Sequence, residues 1–163
     1  MGQKGTHAYV WAPVGSRPAM VRDNRHTSAY LFGAICPARG VGAAVIMPAA
    51  NTAAMNAHLA EISTQVAPGA HAVLLVDRAG WHQSGERPHA PKNISLLNLP
   101  PYAPELNPRE NIWEFLRANT LCNVVWNSYD TIVDACVTAW RFLISDPQRI
   151  RSIGSRSWAC VSL

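Results

Sequence analysis

The chain has 163 residues, of which 48% are hydrophobic and 15% charged, with a formal net charge of +4. That is one domain's worth of residues with enough apolar material for a core. No apolar run approaches the ~20 residues that span a bilayer, and the first residues lack the apolar stretch of a signal peptide, so a soluble intracellular protein is expected. The four cysteines are widely separated without a Cys-x-x-Cys pair, and reduced thiols in or near a core are expected rather than a zinc site or a disulfide framework.

The charge is uneven. Residues 1–40 hold Lys4, Arg17, Arg22, Arg25 and Arg39 against Asp23 alone, so the whole net charge lies there and the rest of the chain balances. A cationic leading segment suits a polyanion, and a solvated loop explains it equally well.

In chain order, residues 7–12 and 27–35 read as extended, with a Pro/Gly/Arg-rich loop, 13–26, between them. Val41–Met47 follows the turn at residues 37–40, so the two longer runs predict a hairpin. Asn51 or Thr52 caps a helix in which Met55, Leu59, Ile62 and Val66 form one apolar stripe, ended by Pro68-Gly69. A buried strand, residues 72–76, ends in Asp77. A polar loop through residue 92 leads to a second strand, 94–99. A strand, long crossover and strand imply parallel pairing, with the site at the shared carboxyl edge. Helices follow over 108–119 and 128–144, and a helical tail runs to Gly154. The fold class is α/β with a mixed sheet. The first 26 residues form a basic leading segment, and residues 27–163 form the domain.

Asp77 ends a five-residue apolar run, where an uncompensated charge is costly to bury. It is either a metal ligand or a capping residue. Glu110 has two readings as well. With Asn107 at the N-cap and Pro108 at N1, Glu110 falls where a capping box places glutamate. The stiff prolines Pro100, Pro101 and Pro104 would also hold that helix start near Asp77. Glu114, one turn on, is the runner-up ligand or a solvated residue. His82 is either structural or orients a water, a phosphate or a carboxylate. Trp113 and Leu116 read as packing. Paired carboxylates are the hard oxygen donors that Mg²⁺ needs for two-metal displacement at phosphorus, with the ions roughly 3.5–4 Å apart.

Asp77-Arg78-Ala79-Gly80-Trp81-His82, followed by Leu99-Pro100-Pro101-Tyr102-Ala103-Pro104-Glu105-Leu106-Asn107-Pro108-Arg109-Glu110, resembles the catalytic domain of DDE transposases. The branch it is similar to is the mariner-like superfamily of bacterial insertion sequences. Gly2-Gln3-Lys4-Gly5-Thr6 and Ala29-Tyr30-Leu31-Phe32-Gly33-Ala34 carry the same resemblance. It implies an RNase H-like mixed sheet with flanking helices and Mg²⁺- or Mn²⁺-dependent DNA cleavage and strand transfer. It also implies a synaptic homodimer on terminal inverted repeats, and a bacterial, cytoplasmic, nucleoid-associated protein.

By the same resemblance Asp77 is the second catalytic carboxylate, Glu110 the third, and His82 the accompanying histidine, with Asn107 supporting. Lys4, Arg17, Arg22 and Arg25 are candidate DNA contacts. Arg78 departs from the family's Asn or Gly. The family's first aspartate, on the central strand before the Gly-Gln-Lys-Gly segment, has no match here, and Asp23 is a poor substitute. The expectation is therefore a truncated transposase whose sheet lacks its central strand and which does not transpose DNA alone. Alternatives are a non-enzymatic DNA-binding or dimerising remnant and a nuclease of RNA–DNA hybrids.

Overall fold

A computed structural model describes Gly2, residues 11–16, 26–77, 88–100, Asn107, 109–121, 124–156 and Trp158. Strands β1 (Tyr30–Cys36) and β2 (Val41–Met47) form an antiparallel hairpin in which Tyr30 faces Met47 and Cys36 faces Val41. The turn between them closes through Gly40, whose N–H donates to the Cys36 carbonyl at 2.9 Å. Its φ of +67° is one that glycine adopts without strain.

Helix α1 (Thr52–Gln65) starts at Asn51, whose side chain accepts from the Ala54 N–H at 2.9 Å. Strands β3 (Ala72–Val76) and β4 (Ile94–Asn98) pair in parallel, which the long crossover between them permits. Helices α2 (Arg109–Asn119), α3 (Tyr129–Ile144) and α4 (Pro147–Gly154) complete the order. Ser128 and Thr131 form a capping box on α3, and Asp146 caps α4 ahead of Pro147.

Side chains of the hairpin alternate between two layers. Leu31, Ile35, Ala44 and Ile46 join the core built by α2, α3 and α4, where Ile112, Leu116, Ile132, Cys136, Leu143 and Ile150 are buried. Phe32, Ala34 and Ala43 face α1 instead, whose Met55, Leu59 and Ile62 also gather Leu74 and Val76 of β3 and Ile94 and Leu96 of β4. Helix α1 therefore roofs both strand pairs with one apolar stripe. The fold is α/β and RNase H-like in its order of elements.

Among the described residues the sheet is in two pieces, β1–β2 and β3–β4, with no strand joining them. The expected strand over 7–12 lies outside the described residues apart from Trp11 and Ala12, which are exposed and belong to no strand. The β3 strand is less buried than its apolar run implies. Its face away from α1 leaves Val73 63% and Leu97 of β4 54% exposed.

Candidate active site

Each carboxylate owes its place to an element end. Asp77 follows Val76 at the carboxyl end of the parallel pair. The Leu99 N–H donates to the Val76 carbonyl at 2.9 Å, so the ladder continues one step beyond β4 and sets buried Leu99 beside Asp77. That neighbour was legible only once the strand register was known. Asp77 is half-buried, in keeping with a carboxylate at a strand terminus rather than within an apolar layer.

Glu110 lies in the first turn of α2, also half-buried, and its N–H donates to the Asn107 carbonyl at 3.2 Å. This bond makes Asn107 the residue from which the helix winds. The helix is anchored beneath by Ile112 and Leu116, at 1% and 0% exposure, so Glu110 starts a rigid element. A carboxylate near a helix N-terminus also faces favourable backbone dipoles. Glu114 is exposed, as a solvated residue would be, and Trp113 is half-buried against the core. Asp77 and Glu110 each engage in a polar or electrostatic interaction.

The donor chemistry suits a hard divalent cation, since both side chains offer carboxylate oxygens. Two such residues are a partial ligand set. Among the described residues no three His, Cys, Asp or Glu side chains gather to hold a metal ion. His82, Arg78, Lys4, Arg17, Arg22 and Arg25 lie outside the described residues. The described cysteines do not enter the site. Cys36 is part of β1, and Cys136 is enclosed in α3, where burial pushes its thiol above the usual range.

The family model described as DDE superfamily endonuclease matches residues 1–133. An uncharacterised protein of Sinorhizobium fredii, y4pE/y4sA, is 51% identical over 131 residues, covering 80% of this chain and 96% of that protein. No solved structure matches. Among the described residues no helix is long and apolar enough to cross a membrane.

Proposed function

Because this chain belongs to the DDE superfamily endonucleases, we propose that it is the catalytic part of a bacterial insertion-sequence transposase. Its reaction is cleavage of DNA at terminal inverted repeats, followed by strand transfer. The observation that carries this reading is the placement of Asp77 and Glu110 at the ends of two anchored elements, within the stretch that matches the family.

Asp77 and Glu110 would hold Mg²⁺ or Mn²⁺, which supplies activation of the attacking oxygen and stabilisation of the leaving one. The strand end and the helix start keep the two carboxylates from drifting, and Asn107 sets the direction in which α2 leaves the loop. His82, five residues after Asp77, is the positioning histidine, and Arg78 contacts a phosphate or weakens cation binding by its charge. Residues 1–26 act as a basic leading segment, with Lys4, Arg17, Arg22 and Arg25 on the DNA backbone, and residues 27–163 form the domain. The working assembly is a homodimer on two element ends, in the bacterial cytoplasm at the nucleoid.

The proposed site needs a third carboxylate beside Asp77 and Glu110. The structure supports a particular route for supplying it. Gly2 bridges Ser28 in antiparallel fashion, two residues ahead of β1, so a segment continuing backwards from Gly2 would run alongside β1 in the opposite direction. The test extends the chain with an Asp-Glu-bearing strand and offers DNA carrying the element's own inverted repeats. Mg²⁺-dependent nicking is expected, falling at least ~100-fold with Asp77→Asn or Glu110→Gln. Nicking that survives both substitutions would remove these residues from the site, and an extended protein inert on its own repeats would remove the transposase reading.

A further inference from the structure

The outer edge of β2 forms the floor of a groove of about 550 Å³, walled by α1 on one side and α3 on the other. Antiparallel pairing with β1 uses only half of the peptide groups of Val41–Met47, and the other half point away from β1. Among the described residues no other strand pairs with β2. Native edges are usually blunted by a charge, a proline or a bulge. This strand, Val-Gly-Ala-Ala-Val-Ile-Met, has neither charge nor proline, and it pairs with β1 residue for residue.

The two walls differ in chemistry. The α3 side offers Val137 and Ile144 together with Ile46 of the sheet, and Arg141 is its cation. The α1 side offers Glu61 and Gln65. A strand laid on the edge of β2 sends alternate side chains to opposite walls. The groove therefore selects apolar residues at the positions facing α3, where Arg141 repels a cation, and basic ones between them, facing Glu61.

A second copy of this chain is a poor occupant. It carries the same Glu61 and Arg141 on its own walls, and its β2 offers no basic side chain to Glu61. An extended segment with basic side chains does.

We propose that the β2 edge is a strand-addition site for an extended segment of a partner protein, apolar and basic at alternating positions. The probe is a fluorescent nine-residue peptide alternating valine with lysine, titrated into the full chain by anisotropy. Saturable binding is expected, with affinity falling about tenfold in Glu61→Lys and about tenfold when glutamate replaces the peptide's lysines. N-methylation of one alternate set of peptide amides should abolish binding and N-methylation of the other set should not, a test that leaves the protein itself unaltered. Equal tolerance of both methylated sets, or an affinity indifferent to Glu61→Lys, would overturn the proposal. So would sedimentation showing that the chain dimerises through this edge.

Discussion

At Gly33 the strand carries no side chain, and the Trp140 ring of α3 occupies the space. A β-carbon built there would stand 2.7 Å from Cζ3 and 2.9 Å from Cη2 of that ring, and one on Gly42 would stand 3.0 Å from Cζ2. The hairpin's two strand glycines are therefore a seat for one indole, which lets α3 sit close on the sheet. Overpacking such a contact costs about 1–3 kcal/mol. Gly33→Ala should lower stability by that amount in urea unfolding, and by distinctly less in a Trp140→Phe background, because the two positions are coupled. Equal costs in both backgrounds would show that the ring is not what reads Gly33. The same scale shows where sequence reading is ambiguous. Taken alone, Asn107 and Glu110 fit a capping box better than a metal site, since a helix start wants a carboxylate for reasons unrelated to catalysis.

At the scale of elements, α1 deserves the most weight, because a single stripe of three side chains roofs both strand pairs. Leu59, wholly buried, lies in the middle of that stripe. Leu59→Ala should cost about 2–5 kcal/mol, and hydrogen exchange should rise in β1–β2 and β3–β4 together. Faster exchange confined to one pair would mean that α1 does not couple them. Most of these elements were legible in the sequence. The periodicity at Met55, Leu59 and Ile62, the cap at Asn51, the break at Pro68-Gly69 and the switch to a short apolar run at residues 72–76 are local signals, and each acts through nearest neighbours. The burial of β3 was not legible. An apolar run predicts two covered faces, whereas Val73 and Leu97 stand exposed because covering a sheet face depends on distant chain. The β2 groove left no trace in the sequence either, since Glu61, Ile46 and Arg141 meet only through tertiary packing.

For the molecule as a whole, the divided sheet is the feature from which the remaining behaviour follows. Two-stranded units are marginal alone, and here they share a roof but no backbone ladder among the described residues. The resemblance read from Asp77 and the Pro101–Glu110 string accounted for family and fold. The arrangement of the break needed the structure, because register and polarity come from the Gly2–Ser28 bridge rather than from any motif. That bridge makes a physical prediction independent of catalysis. A strand added ahead of Gly2 should insert between the pairs, antiparallel to β1, and convert four open strand edges into two. Amide exchange across Tyr30–Cys36 and Ala72–Val76 should then slow by at least ~10-fold, with a rise in melting temperature, while the outward amides of β2 keep their rates. Mutating the added strand's aspartate to asparagine should leave this protection intact and remove only nicking, which separates the strand's structural part from its chemical one. Protection appearing at β2 instead would mean that the added segment had taken the groove between α1 and α3, and that the break in the sheet is not its docking place.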